Sequence, residues 1–152
     1  MRLTLIAVGR AKAGPERDLF DHFTRRITIP FELREVEEKK NLSVPELKRR
    51  EAYLLNAAVP KGAVRVALDE KGKDITSHEF ARKIGQWRDD SIRDAAFIIG
   101  GSDGLDADFL KDCDVRISLG KQTWPHMLVR SLIVEQLYRV QCILSGHPYH
   151  RD

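Results

Sequence analysis

The chain has 152 residues, of which 42% are hydrophobic and 32% charged, and its formal net charge is +3. This length lets one domain bury a core without disulfides or metals. No apolar run approaches the roughly 18 residues that a membrane span requires, and the short apolar N-terminus lacks the cleavage site of a signal peptide. The two cysteines, Cys113 and Cys142, are expected to be free thiols in a reducing compartment. The composition therefore indicates a cytoplasmic globular protein, and so small a net charge does not by itself indicate a nucleic-acid partner.

Ten secondary-structure elements are predicted, and strands alternate with helices along the whole chain. Ser43, followed three residues later by Glu46, is the expected N-cap of the second helix. In chain order the elements are strand 3–8, helix 16–26, strand 31–36, helix 45–58, strand 63–68, a helix that begins after Thr76 or Ser77, strand 95–99, helix 107–112, strand 115–119 and helix 127–145. This alternation predicts an α/β fold with a parallel sheet and helices on both faces, in a single domain spanning residues 1–152.

The last predicted helix has two apolar stripes where a helix that covers a sheet needs only one. The first stripe contains Val129, Ile133, Leu137, Val140 and Leu144, and the second contains Met127, Val134, Tyr138 and Cys142. We expect the second stripe to be buried against another body, and a homodimer is the economical explanation. The alternative is a helix enclosed within the core of one chain.

Three predicted strands end in residues suited to ligand binding, because ligands of parallel sheets bind at the carboxyl ends of strands. These ends are Leu68-Asp69, Ile99-Gly100-Gly101 and Leu119-Gly120. The loop 100–104 matches neither the glycine pattern of dinucleotide-binding folds nor that of phosphate-binding loops, so ATP and NAD are disfavoured. Its spacing leaves open whether it binds a ligand or only reverses the chain.

The C-terminal tail is dense in hydrogen-bonding side chains, although chain termini usually fray. It carries His147, Tyr149, His150 and Arg151, and we expect it to be held against another part of the structure. No cysteine or carboxylate stands at a known ligand spacing from the histidines, so no metal site is predicted.

Polar side chains also lie on, and directly before, the last predicted helix, 127–145. Glu135 and Arg139, four residues apart, are most simply a pair on the helix surface. His126 is most simply the first residue of the helix, after Pro125.

Four motifs, taken together and in this order, resemble the RlmH (YbeA-like) family. They are I-G-G-S-D-G-L at 99–105, L-G-K-Q-T-W-P-H at 119–126 leading to Val129-Arg130, E-Q-L-Y-R at 135–139 and H-P-Y-H-R at 147–151. Members of this family are small SPOUT-class methyltransferases that act on a pseudouridine of bacterial 23S ribosomal RNA. The resemblance covers essentially the whole chain.

This resemblance implies a SPOUT-type fold with a C-terminal trefoil knot, which general rules of topology would not suggest. It implies a homodimer with the active site at the interface, N3-methylation of pseudouridine on the assembled ribosome, and S-adenosylmethionine as methyl donor, without a metal. The positions carried over for the donor are Leu68, Gly100, Leu119, Gly120, Lys121, Gln122, Thr123 and Trp124. Trp124 stands where the family usually has leucine.

The same resemblance implies that the tail closes the site beside the transferred methyl group. His147 or His150 is then expected to shuttle the proton, and Arg151 to stabilise the developing oxyanion. Tyr149 is expected to stack on the base or hydrogen-bond to it. Glu135 is the other candidate base, if it faces the site.

Two other functions remain open from the sequence. One is an RNA-binding assembly module that keeps the fold but has lost catalysis. The other is a small-molecule nucleotide enzyme on a Rossmann-like sheet, which the missing phosphate motifs disfavour.

Overall fold

The computed structural model describes residues 1–152 and contains all ten predicted elements. They are β1 (Arg2–Val8), α1 (Pro15–Thr24), β2 (Phe31–Val36), α2 (Val44–Ala58), β3 (Val64–Asp74), α3 (Ser77–Asp89), β4 (Asp94–Ile99), α4 (Ala107–Lys111), β5 (Val115–Ser118) and α5 (His126–Ser145). The hydroxyl of Ser43 accepts a hydrogen bond from the amide of Glu46, which confirms the predicted N-cap of α2. Thr76, together with Glu79, forms a capping box that begins α3.

The five strands form one parallel sheet in the order β2-β1-β4-β3-β5. Successive side chains of a strand point to opposite faces, so each central strand supplies two cores. In β1, Leu3 and Leu5 pack on the face covered by α1, α3 and α5. Ile6 and Val8 pack on the face covered by α2 and α4. The predicted parallel sheet with helices on both faces is therefore confirmed.

The third strand continues beyond its predicted end at residue 68 and runs to Asp74. Its pairing with β5 shifts register, because Leu68 and Lys73 both pair with Ile117. A Cβ atom on Gly72 would lie 2.7 Å from the backbone carbon of Ile117, so only glycine fits this close approach of two strands. Residues 69–71 lie at this shift in register, which is typical of a β-bulge, and border the cavity described below.

The central residues of both apolar stripes of α5 are buried within this one chain, contrary to the expectation for the second stripe. Val134, Tyr138 and Cys142 are each at most 8% exposed. The helix lies between α1 and α3, and the ring of Tyr138 packs 6.3 Å from that of Phe23. The second stripe is thus covered by the chain's own helices and is not an argument for a dimer.

Two further expectations concern membrane-spanning helices and the state of the two cysteines. No helix is long and apolar enough to cross a membrane. Cys113 and Cys142 are both free thiols, as expected.

Candidate functional site

A cavity of about 660 Å³ opens at the carboxyl ends of β4 and β5 and beside the shift in register of β3 after Leu68, the three places singled out in the sequence. Its volume lies within the range usual for small-molecule sites. Most of the residues that the family resemblance assigns to the methyl donor line it: Leu68, Gly100, Leu119, Gly120, Gln122, Thr123 and Trp124. Lys121 is not among the lining residues. The fold therefore brings together three loops that are far apart in sequence.

The glycine loop after β4 folds tightly on itself at the edge of the cavity. The amide of Gly104 donates a hydrogen bond to the carbonyl of Gly101 over 3.0 Å. A Cβ atom on Gly100 would lie 2.9 Å from the carbonyl carbon of Gly104, so a side chain at this position would push the loop open. Backbone groups thus form this wall of the cavity, and they can hydrogen-bond to a ligand.

Several lining residues were not predicted to belong to the site. His126, interpreted as only a helix-start residue, lines the cavity, as do the aliphatic residues Leu105 and Val129. Asp69 and Arg116 form an ion pair of 2.6 Å beside the bulge in β3. The motifs at 99–105 and 119–126 contain some of these residues, but only the fold shows that they face one space.

Arg130 fixes the beginning of α5 against the sheet. Its guanidinium is almost fully buried, donates to the carboxylate of Glu35 over 2.6 Å, and also donates to the carbonyls of Val8 and Gly9. Burial of Glu35 opposes its ionisation, but the hydrogen bonds from Arg130 and from the amide of Ala11 outweigh burial and hold the pKa of Glu35 below its ordinary value. The pair therefore stays charged at neutral pH and holds the beginning of α5 against the carboxyl ends of β1 and β2.

The C-terminal tail is docked on its own chain, which confirms the expectation that it is held. Gly146 ends α5 in the left-handed conformation, with φ of 72°, and the amide of His147 returns to the carbonyl of Cys142. The hydroxyl of Tyr149 then donates to Glu135 over 3.0 Å, and its ring lies 4.7 Å from the ring of Tyr138.

Glu135 is the centre of this cluster and not half of a simple surface pair. Its Oε1 accepts from Tyr149 and from Nε of Arg139, the latter over 3.1 Å, while its Oε2 accepts from Gln136 over 2.8 Å. The hydrogen bond to Glu135 raises the pKa of Arg139. Burial, and then the hydrogen bond to Glu135, raise the pKa of Tyr149. Both residues therefore remain donors to Oε1 of Glu135 at neutral pH.

The two tail histidines use the same nitrogen for contacts within the chain. Nδ1 of His150 lies 3.0 Å from a guanidinium nitrogen of Arg139, and Nδ1 of His147 accepts from the amide of Tyr149 over 3.2 Å. Arginine and backbone amides only donate, so both Nδ1 atoms are acceptors and the neutral rings carry their proton on Nε2. His147 is exposed and His150 is half-buried.

The fold also brings a carboxylate beside a tail histidine, which the sequence spacing did not indicate. His78, His150 and Asp152 each place one possible ligand atom within 4.8 Å of the others. The Nε2 of His150 carries the ring proton in the arrangement above, so it has no lone pair to offer a metal ion unless Arg139 moves. The absence of a metal site stays a prediction.

None of the five residues expected to be catalytic lines the cavity of the same chain. Glu135 follows Val129, which lines the cavity, by six residues of α5. Six residues correspond to about 9 Å along a helix and about 120° around it. In a single chain the cavity and the tail cluster therefore lie on different faces of α5.

An open parallel sheet with a glycine-rich cavity at its carboxyl edge is the architecture of α/β proteins that bind nucleotide-like ligands. The family model described as "Predicted SPOUT methyltransferase" matches residues 1–150. The chain therefore belongs to the SPOUT methyltransferase family, and it is a methyltransferase. The resemblance read from the four motifs is confirmed.

Relatives of high identity match along the whole chain, and each is named ribosomal RNA large subunit methyltransferase H. The protein from Paramagnetospirillum magneticum is 56% identical over 151 residues, with 99% of each chain covered. The protein from Rhodospirillum centenum is 54% identical over 151 residues, again with 99% of each covered. The protein from Rhodospirillum rubrum is 52% identical over 152 residues, with 100% of each covered.

Two solved structures share the fold at low identity. One is a probable methylase family protein from Haemophilus influenzae, with a TM-score of 0.57 at 11% identity, over 99% of this chain and 70% of that one. The other comes from a study of 2-OH methylation of C/U34 on tRNA, with a TM-score of 0.51 at 19% identity, over 95% of this chain and 97% of that one. The C-terminal trefoil knot stays a prediction.

Proposed function

We propose that this protein is a cytoplasmic, S-adenosylmethionine-dependent methyltransferase that methylates N3 of a pseudouridine in bacterial 23S ribosomal RNA, on the assembled ribosome. The observation that carries the proposal is the cavity lined by the motifs at 99–105 and 119–126 and by residues 68–71 of β3. The names of the full-length relatives support ribosomal RNA as the acceptor. The chain acts as one domain, and two copies form a homodimer.

The cavity suits this methyl donor in its size and in its chemistry. Apolar side chains of Ile99, Leu105 and Ile117 offer contacts to a purine ring, while backbone groups of the loops at Gly100 and Gly120 offer hydrogen bonds. When bound, S-adenosylmethionine supplies a methyl group that its positive sulfonium makes electrophilic. The protein then needs to bind and orient the methyl donor and the acceptor base, and to accept one proton.

A homodimer resolves the separation between the cavity and the tail. The tail cluster lies on a different face of α5 from the cavity of the same chain. A base held in that cavity therefore does not face the tail of its own chain. In a twofold dimer the tail of one copy can instead close the cavity of the other. Each active site is then composite.

The residues of the tail cluster fall into two groups: some position the tail, and others act on the substrate. Glu135, Arg139 and Tyr149 hold one another, so we assign them the positioning of the tail. Arg151 is exposed and makes no hydrogen bond or ion pair within the chain, so its guanidinium is free to stabilise the negative charge that develops on the base.

The proton of the N3–H group needs an acceptor as the nitrogen electron pair forms the new bond to the methyl carbon. His147 is better suited than His150, because it is exposed and because its Nδ1 gives up only one backbone hydrogen bond. Glu135 is held by its hydrogen-bond donors, so we assign it the positioning of the tail and not the role of the base.

The decisive experiment is transfer of a radiolabelled methyl group from S-adenosylmethionine to unmethylated bacterial ribosomes that contain or lack the pseudouridines. We expect transfer only when pseudouridine is present. If the donor binds but no methyl group is transferred, the assembly-module function is favoured instead. If neither occurs, the proposed function is wrong.

A further inference from the structure

We propose that the indole of Trp124 is a stacking platform that holds the acceptor nucleobase at the mouth of the cavity. This inference rests on the proposed function, since it requires an RNA base as the acceptor. It concerns the side chain of a residue in the motif at 119–126.

Trp124 combines two properties that no other residue of the chain shares. It lines the cavity, and it is one of four large hydrophobic side chains that are substantially exposed, with 39% of its surface accessible. The other three, Leu19, Val44 and Tyr53, do not border the cavity. An exposed aromatic ring at the rim of a ligand site is a surface for a second ligand to cover.

The orientation of the indole is set by the chain itself. Its Nε1–H donates to the carbonyl of Leu119 over 3.2 Å, across the loop to which both residues belong. Pro125 follows directly and restricts the backbone before α5 begins at His126. The polar atom of the indole is thus satisfied, and its π face remains for a ligand.

The position at the rim favours the acceptor base over the purine of the methyl donor. The inner wall of the cavity consists of backbone and of aliphatic side chains such as Ile99 and Leu105, which suit a ligand that is enclosed first. RNA-binding proteins commonly hold unstacked bases on aromatic side chains. The amines of Lys48 and Lys71, unpaired within the chain, line the same cavity and are available for the flanking phosphates.

A stacked base gains an orientation that the reaction needs. The electron pair of N3 lies in the plane of the pyrimidine ring once the proton has left. A ring held against a fixed indole moves only within its own plane, so N3 can be aimed at the methyl group by rotation in that plane. Trp124 is therefore a specificity and orientation residue that touches the substrate.

The test compares Trp124→Leu with Trp124→Phe, because leucine fills space without a π face and phenylalanine keeps one. For Trp124→Leu we expect kcat/KM towards unmethylated ribosomes to fall by roughly 5- to 100-fold. The Kd of S-adenosylhomocysteine, measured by calorimetry, should be unchanged, and Trp124→Phe should retain most of the activity. Thermal unfolding of each variant establishes that it folds.

A fluorescence experiment distinguishes whether the indole of Trp124 contacts the acceptor base or the purine of the methyl donor. The chain has only two tryptophans, so Trp87→Phe leaves Trp124 as the sole indole emitter. We expect its emission to change when pseudouridine 5′-monophosphate is added to the protein saturated with S-adenosylhomocysteine, and to change little with S-adenosylhomocysteine alone.

Other outcomes would overturn the inference. An equal loss of donor affinity and turnover in Trp124→Leu would assign the indole to the donor's purine, and an altered oligomeric state would assign it to the dimer interface. Normal kinetics in Trp124→Leu would remove it from the site. Absence of transfer by the unmodified protein is a different result, because it contradicts the proposed function itself.

Discussion

The hydroxyl of Tyr149 donates a hydrogen bond to the carboxylate of Glu135, 3.0 Å away, and thereby ties the C-terminal tail to the middle of α5. Fourteen residues separate the two in sequence. The contact helps to explain why a segment that would normally fray is ordered: Tyr149 and His150 both have partners on α5, which is itself fixed in the core.

Removal of this hydroxyl should loosen the tail without unfolding the protein. For Tyr149→Phe we expect the free energy of unfolding to fall by about 1 kcal/mol, the usual net value of one hydrogen bond. Amide hydrogen exchange in residues 146–152 should become faster, and methyl transfer slower. Tyr53→Phe is the matched control, since Tyr53 is 63% exposed and its hydroxyl makes no hydrogen bond. An unchanged exchange rate in the tail would show that the hydroxyl does not hold it.

Loss of the Arg151 side chain should affect catalysis and not stability. Its guanidinium makes no hydrogen bond or ion pair within the chain, so the free energy of unfolding of Arg151→Ala should lie within about 0.5 kcal/mol of that of the unmodified protein. The kcat should fall by about 100-fold or more, as is typical when a group that stabilises developing charge is removed. Arg151→Lys, which keeps the charge, should recover part of the rate. Normal turnover by Arg151→Ala would exclude the proposed role.

An added methyl group at Gly100 should displace the loop 100–104 and weaken binding of the proposed methyl donor. Its Cβ would lie 2.9 Å from the backbone of Gly104, so the loop must shift. We expect Gly100→Ala to weaken S-adenosylhomocysteine binding by about tenfold or more. A change of about tenfold corresponds to the lower part of the range of free energies that overpacking costs. Ser102→Ala, in the same loop but without a new Cβ atom, should bind normally. Calorimetry measures both, and equal affinities would mean that the loop is not part of the donor site.

Mixed dimers test whether the active site is composite. Arg151→Ala damages only the tail and Gly100→Ala only the cavity, so a heterodimer of the two retains one intact pair of cavity and tail. With random exchange of subunits, about half of the dimers are mixed, and activity should recover to about a quarter of the unmodified level. If no activity returns after exchange is verified by mass spectrometry, each site is formed within one chain.

Glu51 should make stability depend on pH. It is only 7% exposed, and its carboxyl packs against Gly101 of the cavity loop without a hydrogen-bond partner. Burial, and then the charge of Asp103, raise the pKa of Glu51 above its ordinary value of 4.5. A raised folded-state pKa contributes stability that is present below pH 4.5 and is lost as the pH rises through the folded-state value.

Glu51→Gln removes this titration, so it should be more stable than the unmodified protein at pH 7 and should not show this loss of stability above pH 4.5. Urea unfolding at several pH values measures the difference. The exposed Glu46 on the same helix provides the control, and Glu46→Gln should leave the pH dependence in place. An identical pH profile for Glu51→Gln would show that Glu51 does not titrate abnormally.

The sequence alone determined the elements, the sheet type and the edge at which the cavity opens. In β1 the short apolar run from Leu3 to Val8 indicates a buried strand, whose side chains alternate between the two faces of the sheet by geometry. Parallel strands then place all their carboxyl ends at one edge, so the loops at Leu68, Gly100 and Leu119 had to lie near one another. The helix cap at Ser43 was likewise predictable, since capping is local.

Only the tertiary structure decided what covers each surface. Periodicity shows that Val134 and Tyr138 are apolar, but not that α1 and α3 bury them. The spacing of Glu135 and Arg139 shows that they meet, but not that Tyr149 and His150 return to join them. The extension of β3 depends on the approach of Gly72 to Ile117, between residues 45 positions apart. These outcomes depend on contacts between distant segments, and local sequence carries no direct signal for which segments will meet.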